Sequence, residues 1–98
     1  MSDFIERNFA REVEFLKALV RVPSDNPPGD CARHAEAAAG LLKRLGFKVE
    51  RHPVPAAVVK RHGMVSVTNL IVRERFGCGK GPVIALNAHG DEIGRAHV

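Results

Sequence analysis

Three consecutive residues, His89-Gly90-Asp91, stand at the end of an apolar run, Val83-Ile84-Ala85-Leu86-Asn87-Ala88. Imidazole is the commonest protein ligand for zinc-type ions. A carboxylate close by can orient such a ring and raise its basicity. In extended chain, residues two apart point to the same side, and Gly90 frees the backbone to turn between them. His89 is therefore a candidate metal ligand and Asp91 a candidate partner for its ring. Taken alone, His-x-Asp reads equally as a surface loop with two polar residues. Its place at the end of an apolar run favours the metal reading, because ligands in open α/β sheets sit beyond the carboxyl ends of the strands.

Other residues offer chemistry with a plainer explanation beside it. Gly77-Cys78-Gly79-Lys80-Gly81-Pro82 has the look of a phosphate loop. That pattern, however, needs a glycine where Glu74 stands and Ser or Thr where Gly81 stands, so a tight turn is the better reading. Cys31 and His34 share one helical face and could bind a metal; a buried small thiol beside a surface histidine is the better reading. Asp25, Asn26 and Asp30 in a proline-rich loop could line a substrate mouth, but capping and turn chemistry explain them without function. His52 reads as an exposed strand residue. His62 and His97 could act as further ligands, although nothing in the sequence positions them.

The elements that must carry His89 and Asp91 follow from periodicity. From Asp3 to Val20, apolar Ile5, Phe9, Val13, Leu16 and Val20 recur in steps of four, four, three and four, one face of a helix. Pro23 ends it. Residues 22–30 form a stiff loop in which Asp30 is the expected N-cap of the next helix. That helix spans 31–45, with Cys31, Ala35, Ala38, Leu42 and Leu45 on one stripe. Lys43 and Arg44 suit its negative end, and Gly46 suits C′. Its alanines suggest close packing against a sheet or helix. Residues 47–53 alternate as a half-exposed edge strand, with Phe47, Val49 and Arg51 on one side, closed by Pro53. Residues 54–65 read as loop, and Val67–Arg75 as a more buried strand. Residues 77–82 are a turn, and 83–89 a third strand, apolar on both faces and so expected in mid-sheet. The expected fold class is α/β: two N-terminal helices followed by three strands of a mixed sheet, in a single incomplete domain over residues 1–98.

Composition bounds the partners. The chain has 98 residues, 45% hydrophobic and 27% charged, ordinary values for one small globular domain. Its net charge of +4 is spread over scattered lysines and arginines, and there is no Trp or Tyr to stack on bases. A solvated basic surface is therefore a better reading than a nucleic-acid binder. No apolar run approaches the ~20 residues of a membrane span. The first fifteen residues mix both charge signs and lack the apolar region of a secretory signal. A cytoplasmic location is expected, with no membrane partner, and Cys31 and Cys78 are expected to be free thiols.

Four segments in order, Phe15 to Asp30 (FLKALVRVPSDNPPGD), Leu41 to Glu50 (LLKRLGFKVE), Thr68 to Glu74 (TNLIVRE) and Gly81 to Asp91 (GPVIALNAHGD), carry a resemblance. The chain resembles the N-terminal segment of the co-catalytic zinc peptidase and deacylase family, which includes acetylornithine deacetylase, succinyl-diaminopimelate desuccinylase, aminoacylase and glutamate carboxypeptidase. The resemblance spans nearly the whole chain. It implies a zinc-exopeptidase (phosphorylase/hydrolase-like) catalytic domain in which His89 ligates one of two ions, zinc or alternatively cobalt or manganese. Asp91, the expected catalytic-site carboxylate, would hold that imidazole rather than bind metal. The implied reaction is hydrolysis of an N-acyl amino acid or short peptide amide by a metal-activated water, with a glutamate as general base.

The family draws its bridging aspartate, paired glutamates, a further carboxylate and a second histidine from positions much farther along. It usually continues after His-x-Asp with a short apolar, proline-containing run, where this chain reads Glu92-Ile93-Gly94-Arg95-Ala96-His97-Val98. A catalytic zinc needs about three protein ligands. The chain is therefore expected to be an N-terminal fragment, inactive alone, holding no ion or one weakly bound, and prone to self-association through an unpaired sheet edge. The reading from another class is a non-catalytic α/β interaction module without metal.

Overall fold

The computed structural model describes residues 2–93. The elements in chain order are α1 (Ser2–Arg21), α2 (Ala32–Arg44), β1 (Val49–Pro53), α3 (Ala56–Arg61) and β2 (Thr68–Val72). β1 and β2 form a two-stranded antiparallel sheet in which Val49 faces Val72, Arg51 faces Leu70 and Pro53 faces Thr68. α2 packs on both strands of this sheet and also touches α1. Ala35 and Ala39 of α2 are buried; Ala35 belongs to the expected stripe, Ala39 does not, and Leu45 of that stripe is exposed. Val59 of α3 completes the short roll of fully enclosed apolar residues among those described.

Helices α2 and α3 end by the same device. At α2, Gly46 N–H donates to Lys43 O at 2.9 Å and Phe47 N–H to Leu42 O at 3.1 Å. At α3, Gly63 N–H donates to Lys60 O at 3.0 Å and Met64 N–H to Val59 O at 3.1 Å. These are Schellman pairs, with Gly46 (φ 95°) and Gly63 (φ 74°) in the left-handed region that closes them. Residues 54–65, expected as loop, thus contain a helix. Its local signal was present in Lys60-Arg61-His62-Gly63, a basic last turn followed by glycine.

Three further expectations are corrected. Asp30 does not cap α2. The N-cap position is Cys31, without a side-chain cap. Instead the Ser66 hydroxyl accepts from Ala32 N–H at 3.0 Å and donates to Asp30 Oδ1 at 2.6 Å. The capping oxygen comes from 34 residues away, because loop 29–31 lies beside residues 65–66, where Cys31 N–H also donates to Ser66 O at 2.9 Å. The apolar stripe of α1 is not its inward face: Ile5, Phe9, Leu16 and Val20 are exposed, while Val13, Phe15 and Leu19 are half-buried. α1 meets only α2 among the named elements, so no layer covers the stripe.

The third correction concerns residues 83–89, which form no strand. Val83 is 97% and Leu86 95% exposed. A strand apolar on both faces is stable only between neighbouring strands and under covering layers; a two-stranded sheet supplies neither. β2 is likewise open on one face, with Leu70 and Val72 half-buried and Ile71 exposed. The chain is correspondingly spread out. Its radius of gyration is 15.9 Å, against about 13 Å for a compact domain of this length. It exposes 8385 Å², where about 5,500 Å² is usual for a folded monomer of its mass. Among the described residues no helix is long and apolar enough to cross a membrane.

Two glycines predict opposite stability effects. Gly29 has φ 76°, and a Cβ there would lie 2.8 Å from Met64 Cγ. Gly29→Ala is expected to cost about 1–3 kcal/mol through strain and overpacking. Gly40 sits inside α2, with nothing within 4 Å of the position of a Cβ, so Gly40→Ala should stabilise by about 0.5–1 kcal/mol. Urea unfolding midpoints of the two variants should move in opposite directions; movement in the same direction refutes the account.

Candidate functional site

His89 and Asp91 do come together. The His89 Nδ1 lies 3.1 Å from Asp91 Oδ1 and 3.0 Å from the Asp91 backbone oxygen. Both of these partners can only accept, so Nδ1 carries the proton and donates to them. In the neutral ring Nε2 is then the nitrogen with the free lone pair, and it has no hydrogen-bond partner among the described residues. The ring is 85% exposed. This is the tautomer in which a histidine can offer Nε2 to a cation while a carboxylate steadies its far side.

The support for this pair is a loop, not the strand expected from the apolar run. Residues 24–26, in the loop between α1 and α2, lie parallel to residue 92. Asn26 N–H donates to Glu92 O at 2.8 Å, and Glu92 N–H to Ser24 O at 3.0 Å. The hydroxyl of Ser24, which is 3% exposed, donates to Gly90 O at 2.7 Å. The Asn26 side-chain amide donates to Asp91 Oδ2 at 3.1 Å. Asp25 and Asp30 line an open cleft on the outer side of the same loop, with Val22, Pro23, Pro27, Pro28 and Arg33.

Gly90 is pressed between partners. A Cβ there would come within 3.2 Å of His34 Cε1 and Nδ1. The half-buried His34 of α2 thus flanks the His-Gly-Asp corner instead of standing apart on the surface. Cys31, half-buried one turn earlier, directs its thiol toward Ser24 O at 3.8 Å. Burial, and then the negative charges of Asp91 and Asp30, push that thiol above its usual range. A thiol in this state is a poor source of the thiolate that metals bind. Glu92 is half-buried, and its Oε1 is enclosed without a hydrogen-bond partner among the described residues.

The sequence pointed to His89 and Asp91 but assigned Asn26 to turn chemistry and left Ser24 unremarked. Their contacts span 65 and 66 residues, a separation that no local pattern reports. His62 follows α3 and is exposed, His52 is exposed and contacts Glu50, and His97 lies outside the described residues. Among the described residues no three of His, Cys, Asp and Glu are grouped to hold a metal ion. The described residues fit one ligand position with its supporting carboxylate, and among them there is no complete centre. Compared with protein-family models, curated proteins and solved structures, the chain finds no match.

The Asp91 carboxyl is held below the usual carboxylate range, chiefly by the Asn26 amide; desolvation opposes this, and the nearby His89 adds to the lowering. A lowered folded-state pKa means that the stabilisation is present above the ordinary aspartate value and is lost as pH falls through the lowered one. The backbone amides of Asn26 and Glu92 should therefore keep slow hydrogen exchange at neutral pH and lose it in strong acid. Ser24→Ala, which removes the hydroxyl that donates to Gly90 O and costs about 1 kcal/mol, should speed exchange at both amides at neutral pH. Unchanged exchange in that variant means that the loop is not what holds residues 90–92.

Proposed function

We propose that this chain supplies the His89 corner of a zinc-dependent hydrolase that cleaves the amide of an N-acyl amino acid or short peptide, with Asp91 holding the ring. The carrying observation is the geometry at His89: Nδ1 faces Asp91, and Nε2 has no hydrogen-bond partner among the described residues. The ordered resemblance of four segments to the zinc peptidase and deacylase family supports the same reading. In that reading α1, α2 and the β1–β2 sheet are the opening elements of a larger catalytic domain, cobalt or manganese are alternatives to zinc, and the family's full centre takes two ions. The free thiols Cys31 and Cys78 suit a reducing, cytoplasmic compartment.

A single imidazole with a supporting carboxylate binds zinc weakly and does not by itself make a catalytic site. Titration calorimetry should accordingly show weak zinc binding that His89→Ala abolishes, and no hydrolysis of N-acyl amino acids by the chain alone. Zinc binding indifferent to His89, or none at all, returns the chain to a non-catalytic interaction module. Robust zinc-dependent deacylation by the isolated chain contradicts its inactivity.

Self-association goes with the same reading. The two-stranded sheet has open edges, and Ile5, Phe9, Leu16, Val83, Ile84 and Leu86 are all exposed. Such surface favours pairing or aggregation. The sedimentation coefficient should rise with protein concentration; a clean monomer at high concentration removes this part of the proposal.

A further inference from the structure

We propose that Asn26 is a positioning residue for the His89 imidazole, acting through Asp91. The inference rests on His89 being the ligand in the proposed function, but the arrangement it describes exists without metal. Asp91 has two carboxylate oxygens. Oδ2 receives the Asn26 side-chain amide at 3.1 Å, and Oδ1 faces His89 Nδ1 at 3.1 Å. A carboxylate only accepts, so the nitrogen end of the Asn26 amide is the end that faces it. With Oδ2 tied to the loop, rotation of the carboxylate about its Cβ–Cγ bond is restrained and Oδ1 stays on the ring. Nδ1 is thereby kept protonated and Nε2 kept bare.

Asn26 is itself fixed. Its backbone N–H donates to Glu92 O, one residue past the carboxylate that its side chain grips. The Ser24 hydroxyl pins the carbonyl of Gly90, one residue before it. Asn26 thus holds both the chain and the side chain of the residue that orients the imidazole. A turn-forming role alone requires no contact with Asp91, 65 positions away.

The test is the tautomer of His89 in the full 98-residue chain, freed of metal with a chelator. It is read by long-range nitrogen–proton correlation of the imidazole at a pH where the ring is neutral. Wild type should show the Nδ1–H form in excess. Asn26→Asp keeps the side-chain shape and loses the donor, and Asn26→Ala loses both; each should shift the ring toward the Nε2–H form that free histidine prefers in water. Slow exchange of the Glu92 amide reports that the loop is still in place. A wild-type ring already in the Nε2–H form, or variants that keep the wild-type tautomer with the loop intact, overturn the proposal.

A wild-type measurement covers variants that fail to hold the loop. The two Asn26 side-chain amide protons should be resolved, with one moved downfield, and Asp91→Ala should return them to ordinary values; ordinary values in wild type also overturn it. Zinc titration then separates this inference from the function. Weakening of zinc binding by about tenfold in Asn26→Asp supports both. A tautomer shift without any His89-dependent zinc binding supports the positioning role and removes the hydrolase reading.

Discussion

The structure around His89 depends on one short pairing, residues 24–26 against 90–92. Two backbone hydrogen bonds, one buried hydroxyl and one side-chain amide join segments that are more than sixty residues apart. Each neutral hydrogen bond contributes only about 1 kcal/mol net. Acting together they give residues 90–92 a backbone partner that no strand provides. The pairing is parallel and confined to a single bridge. Without it, the exposed run 83–89 would have no described attachment near its end, and the carboxylate that sets the imidazole would have no fixed direction.

The same loop serves two neighbours. On one side it grips residues 90–92. On the other, Gly29 O receives Val65 N–H at 3.0 Å and Ser66 N–H at 3.1 Å, and Asp30 accepts from the Ser66 hydroxyl that caps α2. The start of α2, the approach to β2 and the His-Gly-Asp corner are therefore tied to the ten residues between α1 and α2. That fits a buried Gly29 with a left-handed φ: a side chain there would press on Met64, in the segment that the loop holds before β2. It also explains the environment of Cys31, whose thiol is pushed up by burial and by the two carboxylates the loop gathers.

Charge on the sheet is local by comparison. Arg51 reaches Glu36 of α2 at 2.8 Å, on the side that Val49 also faces, while Arg73 and His52 both meet Glu50. The Arg73 guanidinium, and next His52, hold the Glu50 carboxyl below its usual range. These exposed pairs fix side-chain direction more than they add stability. The period-two alternation of residues 47–53 was read correctly on this account, since Arg51 turns toward α2 and Glu50 away from it.

How much was legible follows from the range of the interactions. α1, α2 and the two paired strands were readable because helix periodicity, proline, C′ glycine and alternation act within a few residues. The burial of Ala35 in α2 was readable for the same reason, and so was the contact of His89 with Asp91, two positions apart in one turn. α3 carried a readable ending that was passed over. What depended on partners was not legible: which face of α1 turns inward, whether 83–89 pairs, and which oxygen caps α2. An apolar pattern states that a surface is worth burying, and only the tertiary structure decides whether anything is there to bury it. By itself the sequence determined the residue types at the candidate site and their local spacing. Tertiary structure decided that a loop 65 residues earlier holds them, because hydrogen bonds between distant segments leave no periodic trace in the chain.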